Sequence, residues 1–128
     1  MKTRTKALKA IRIPELLLAL LLAAPTALSA ATARIYELSA DDWARPRSGA
    51  VVAGMEPVRL AVSYWESTPR ALIMLSYPGE DSGELWAIEL RDWMVSLGVP
   101  SDAILLTPGL QSSDSLRLRV GLPEELSP

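Results

Sequence analysis

Two groups of side chains in this chain are of types that can do chemistry. The first is Glu80, Asp81 and Glu84, beside the turn Pro78-Gly79. Two neighbouring carboxyl groups can divide the acid and base roles of a hydrolase. The same spacing also suits a helix start. Asp81 can cap, and Glu84, three residues on, can close a capping box and favour the helix dipole. Capping accounts for this spacing without catalysis and is the preferred reading. The second group is Asp41-Asp42-Trp43-Ala44-Arg45-Pro46-Arg47-Ser48-Gly49. Arg45 and Arg47 flank a proline, whose fixed φ holds both guanidinium groups on a stiff backbone. With Trp43 they can receive a carboxylate, a phosphate or the acidic loop of a partner. The plainer alternative is a turn whose arginines pair with nearby acids.

The residue types that are missing exclude more. There is no His and no Cys. Without His there is no Ser-His-Asp triad, and the commonest general base and transition-metal ligand is lacking. Without Cys there is no disulfide, no thiolate metal site and no lipid-anchoring thiol. No Gly-rich phosphate loop with its Lys is present, and no calcium loop with its spaced oxygen ligands. No metal or cofactor is expected, and the chain reads as non-enzymatic.

Charge is divided along the chain. Of 128 residues, 13 are Lys or Arg and 15 Asp or Glu, a formal net charge of −2. All three lysines (Lys2, Lys6, Lys9) fall in the first ten residues, with Arg4 and Arg12 close by. Residues 34–128 carry eight Arg against fourteen Asp and Glu, a net charge of −6. An acidic body without lysine argues against a nucleic-acid partner, because phosphate binding needs clustered basic side chains. A Ser-Lys dyad would also be lost with the leader.

Residues 1–33 have the three parts of a secretory signal peptide. A basic segment runs from Met1 to Arg12. An apolar run follows from Leu16 to Ala24 and is broken by Pro25. Ala31-Thr32-Ala33 then fits a small-residue cleavage rule, with Ser29-Ala30-Ala31 as competitor. The apolar run is shorter than the ~20 residues a spanning helix needs, so no integral membrane span is expected after cleavage. No twin-Arg pair is present. The expected location is the periplasm or the medium of a bacterium.

The elements that position the candidate residues follow from hydrophobic spacing. Trp86, Leu90, Trp93, Met94 and Leu97 predict a helix over about 84–97, stopped by Gly98 and Pro100. Ala71–Tyr77 and Ala103–Thr107 are short apolar runs ended by Pro-Gly, and read as strands. Leu116–Val120 alternates apolar and charged, as a half-exposed strand does, with Arg117 and Arg119 on one face. Arg34–Leu38 reads as a first strand. Pro57 to about Glu66 reads as a helix with Val58, Ala61, Val62 and Trp65 on one face. Gly49–Gly54 is open between a strand and a lead-in to that helix. The fold class is therefore α/β (an α+β sandwich): one small β-α-β-α-β-β domain over 34–120, two helices packed on one mixed sheet, and a polar tail over 121–128. If strands one and two are parallel, the loops after them share the carboxyl end of the sheet, where open α/β sheets bind ligands. That groups Trp43, Arg45, Arg47, Tyr77, Glu80 and Asp81 as candidate ligand or partner residues. Trp86 and Trp93, at helical spacing, are expected in the core, and Trp43 on the surface.

The stretch Glu84 to Ile104, above all Asp92-Trp93-Met94-Val95-Ser96-Leu97-Gly98-Val99-Pro100-Ser101-Asp102, resembles part of an OmpA-like peptidoglycan-associating domain. In that family a strand, a loop and a helix end in a Gly-hydrophobic-Pro turn that leads to the next strand. The resemblance is partial, over about residues 84–104. It implies a cell-wall ligand held by a loop Asp, matched by Asp81, and by an Arg early in the helix. The position of that Arg is Trp86 here, which cannot make a two-pronged carboxylate contact, and the loop before the helix is shorter. With these departures the family's ligand site is expected to be lost or altered. The reading taken forward is a small exported accessory or adaptor protein of a bacterial envelope assembly that binds a protein partner. The alternatives are a peptidoglycan-binding module of OmpA-like type and a carboxylate-dependent hydrolase.

Overall fold

A computed structural model of the chain describes residues 32–127. The leader reading lies outside the described residues, apart from Thr32 and Ala33. The elements in order are β1 (Arg34–Ser39), α1 (Ala40–Trp43), α2 (Gly49–Gly54), α3 (Glu56–Ser67), β2 (Leu72–Tyr77), α4 (Asp81–Ser96), a 3-10 turn at Ser101–Ala103, β3 (Ile104–Pro108), β4 (Ser115–Gly121) and α5 (Pro123–Leu126). The β-α-β-α-β-β order is as expected. The segment between β1 and β2 holds two short helices besides the long one, and Gly49–Gly54 is helical.

The four strands form one mixed sheet in the order β1-β4-β2-β3. β4 runs antiparallel to both β1 and β2, and β2 runs parallel to β3. Strands β1, β2 and β3 therefore all point the same way, and the segments that follow them leave from one end of the sheet. β4 lies between β1 and β2, which sets the first two exits a strand apart.

The helices cover one face. On β2 the residues Ile73, Leu75 and Tyr77 are buried, and on β4 Leu116, Leu118 and Val120. They meet Val58 and Ala61 of α3, and Ala87, Leu90 and Met94 of α4, in one cluster with Leu38, Val52, Val99 and Ile104. Fully burying a side chain of this size contributes about 1.5–3 kcal/mol. The alternate residues of each strand face the other way. Arg117 and Arg119 share that open face with Ile35, Glu37, Met74 and Leu105, and Ile35 is 57% and Leu105 39% exposed.

Helix α4 departs from the expected bounds in an instructive way. It begins at Asp81, with Glu80 in the capping position and no side-chain cap bond, so Asp81 is not a cap. The buried stripe is Gly83, Ala87, Leu90 and Met94. Trp86, Trp93 and Leu97 are only partly buried and pack at its margins. Gly83 lies so close to the Pro78 carbonyl that a Cβ there would overlap its oxygen. Small residues at 83 and 87 lie on the buried stripe, and the bulky indoles of Trp86 and Trp93 lie at its flanks. At the other end Gly98 has φ 107°, the left-handed conformation that stops a helix, with the Val99 N–H bonded to the Met94 carbonyl at 3.0 Å.

Residues 121–128, expected as a polar tail, are not one over their described part. Gly121 belongs to β4, and Pro123–Leu126 forms α5 with Leu126 only 2% exposed. The Leu122 N–H donates to Glu125 Oε2 at 2.7 Å, and Arg119 donates to the Glu125 carbonyl at 3.1 Å. Because Arg119 stands on the open face of β4, α5 lies against that face. The hidden signal was one apolar residue, Leu126, behind two glutamates.

Candidate functional site

The segment after β1 is organised by two serine caps. The Ser39 hydroxyl accepts from the Asp42 N–H at 3.2 Å and donates to Asp42 Oδ2 at 3.0 Å, which starts α1. The Ser48 hydroxyl accepts from the Val51 N–H at 3.3 Å and starts α2. Such caps are each worth about 1 kcal/mol. Between them Arg45-Pro46-Arg47 turns the chain, and the two arginines go opposite ways.

Arg47 turns inward. Its guanidinium lies over the Trp43 ring, 4.5 Å from the centroid, and also donates to the Trp43 carbonyl. The same group reaches α4 and pairs with Glu89, at 2.9 Å from Nη2 and 3.1 Å from Nε. Trp43 is 7% exposed and stacks on Trp86 of α4, with centroids 6.3 Å apart and planes 28° apart. The expectation of a surface Trp43 is therefore corrected. It is a core residue, roofed by Arg47 on one side and Trp86 on another. An aromatic pair and a half-buried cation–π contact are each worth about 0.5–1.5 kcal/mol. The cluster ties the segment after β1 to the helix after β2.

Arg45 turns outward. It is 72% exposed at the side chain and pairs with Asp42 at 3.3 Å. It stands on the rim of a groove of about 520 Å³, with Glu37, Asp42 and Glu56 as carboxylates and Val51 as exposed apolar lining.

The second half of the candidate set stands apart from the first. Tyr77 is buried, and its carbonyl accepts from the Leu110 N–H at 2.9 Å. The Ala40 N–H donates to the Asp114 carbonyl at 2.8 Å. The β3–β4 loop thus binds the ends of both β2 and β1. Glu80 and Asp81 are exposed. Among the described residues no hydrogen bond or ion pair joins either to Arg45 or Arg47. Of the six candidates, the structure brings Trp43 and Arg47 into contact, leaves Arg45 accessible on a different surface, and buries Tyr77 in the core.

Two participants escaped the sequence reading. Glu89 lies three residues after Trp86, so the pair shares a helix face and a mate for an arginine was legible there. Glu37 pairs with Arg117 across β1 and β4 at 2.9 Å. That pair needed the strand register, which one sequence does not state. Among the described residues there is no group of three or more Asp or Glu side chains placed to hold a metal ion, and no helix long and apolar enough to cross a membrane.

Comparison with protein-family models, with curated proteins and with solved structures finds no match to this chain.

Proposed function

We propose that this chain is a small exported, non-enzymatic accessory protein that binds a protein partner in a bacterial envelope assembly. One observation carries the reading: Trp43, Arg47 and Tyr77 are engaged in holding the fold, while among the described residues apolar and charged surface is left exposed. Arg47 and Trp43 tie α4 to the segment after β1, and Tyr77 is core. Among the described residues that surface is the part of the sheet face opposite the long helices that α5 does not cover. There the parallel pair β2–β3 presents the half-buried Met74 and the exposed Leu105, although parallel strands ordinarily have both faces covered. The basic, apolar and small-residue segments of residues 1–33 support export to the periplasm or medium.

The test is cross-linking in intact cells, with a photo-activated amino acid at Arg45, Leu105 or Arg117. A discrete adduct with one envelope protein from at least one position is the expected result. Its absence from all three positions, in cells where the protein is exported and folded, would refute the reading.

A second reading, a peptidoglycan-binding module, is favoured by the order strand β2, loop, helix α4, Gly98-Val99-Pro100 turn, strand β3. It is weakened by Trp86, whose indole is stacked on Trp43 where the resembling family has its ligand-binding Arg. Retention on purified sacculi that is lost on Asp81→Ala would favour it over the first.

A further inference from the structure

Among the described residues β1 is an edge strand of the sheet. Which of its backbone groups face outward follows from one bond. The Ala40 N–H donates to the Asp114 carbonyl at 2.8 Å, which extends the β1–β4 register by one position past Ser39 opposite Ser115. Hydrogen-bonded pairs alternate along an antiparallel ladder. Tyr36 and Leu38 therefore bond to β4, while Ile35 and Glu37 turn their N–H and C=O groups away from it. These outward groups are a template for another strand.

The groove beside Arg45 opens onto this edge. Its lining includes both Glu37 and Leu38. Leu38 points into the core and Glu37 to the opposite face, so a groove that touches both meets the strand at its free side. Its charge is unequal. Glu37, Asp42 and Glu56 stand around it with Arg45 as the one cation of its lining. Arg117 approaches Glu37 from the open face and Arg45 holds Asp42, while Glu56 has no ion-pair partner among the described residues. Val51, 41% exposed, gives an apolar contact in the same groove.

We infer that the outer edge of β1 receives an extended, basic segment of a partner protein as an added strand. The segment bonds to the N–H and C=O groups of Ile35 and Glu37, sets a Lys or Arg side chain between Glu37 and Glu56, and rests an apolar side chain on Val51. Strand addition takes its affinity from main-chain bonds and its selectivity from alternate side chains. A second copy of this chain fits the groove poorly, because residues 34–128 carry a net charge of −6. The inference rests on the protein-partner reading and gives that partner its chemistry.

The probe is a synthetic nonapeptide of alternating Thr and Val with one central Lys. Two controls accompany it, one with Glu in place of Lys and one with alternate amides N-methylated. The purified protein is titrated and followed by amide resonances and hydrogen exchange. The Lys peptide is expected to shift and protect Ile35 and Glu37. The Glu peptide should bind about tenfold more weakly or worse, and N-methylation should abolish protection. The double variant Glu37→Gln/Glu56→Gln, with unchanged circular dichroism, should weaken the Lys peptide by a similar factor. Equal binding of the Lys and Glu peptides, shifts confined to other surfaces, or a dimer through β1 that excludes the peptide would each overturn the inference. Its failure is separable from that of the partner reading. An envelope adduct that forms equally well with the double variant leaves the partner and removes this site. Peptide binding without any envelope adduct removes the partner.

Discussion

The guanidinium of Arg47 is held at three points of the fold at once: over the Trp43 ring, on the Trp43 carbonyl and against Glu89 of α4. Arg45, two residues earlier, has one exposed carboxylate. Two arginines flanking the same proline thus differ in what they do. Arg47→Ala is expected to cost about 1–2 kcal/mol, from the lost stacking and a partly exposed ion pair. Arg45→Ala should stay within about 0.5 kcal/mol, as exposed pairs do. Urea titration followed by tryptophan fluorescence measures both, and equal losses would contradict the assignment of roles.

Gly83 gives the sharpest stability prediction. A Gly→Ala change inside a helix ordinarily stabilises by up to about 1 kcal/mol. At Gly83 the added methyl meets the Pro78 carbonyl, and backbone cannot swing away as a side chain does. The sign should reverse, with a cost of about 2 kcal/mol or more. Gly54, at the end of α2, has nothing within 4 Å of the position a Cβ would take. Gly54→Ala should be neutral or stabilise by about 0.5 kcal/mol. Opposite movements of the urea midpoint at these two glycines are the check.

What the chain discloses about itself follows the range of the interactions involved. Strands β2, β3 and β4 and the existence of two long helices were legible, because apolar spacing and Pro-Gly stops are local signals. The buried side of α4 was legible in Leu90 and Met94 but not in its centre, which lies toward Gly83 and Ala87. Large apolar residues outweighed Gly83 and Ala87 in a periodicity argument, whereas the close approach of Gly83 to the Pro78 carbonyl admits no side chain. Trp43 was misplaced for a related reason. Its burial depends on Trp86 and on Arg47, and only the path of the chain between β1 and α4 brings these together. The groove at β1 was half legible. Arg45 was a candidate, but its neighbours Glu37 and Glu56 come from separate elements and share no sequence motif.

The C-terminal helix offers a direct test of its docking. A free polar tail can be removed at no cost. Leu126 is buried, and burial of a Leu is worth about 1.5–3 kcal/mol. Leu126→Ala is expected to cost about 2 kcal/mol, and truncation after Gly121 at least as much. Protection of the Arg119 side chain from solvent should fall in the same variants, since its Glu125 partner is displaced. Unchanged unfolding midpoints in both variants would show that α5 does not hold the open face.

Trp86 poses the last question, because its ring and its N–H pull in different directions. The ring stacks on Trp43 and packs against the core. Its Nε1 is buried and has no hydrogen-bond partner among the described residues. A buried donor without a partner costs about 1–3 kcal/mol, which offsets part of what the ring contributes. Trp86→Phe keeps an aromatic face and removes the donor, so it should change stability by less than about 1 kcal/mol in either direction. Trp86→Ala removes the stack as well and should cost about 2–3 kcal/mol, less than a fully buried Trp because this one is partly exposed. Thermal unfolding of the two variants separates ring from donor. Equal losses would mean that the indole N–H finds a partner in solution and that the donor, not the stack, fixes this residue in place.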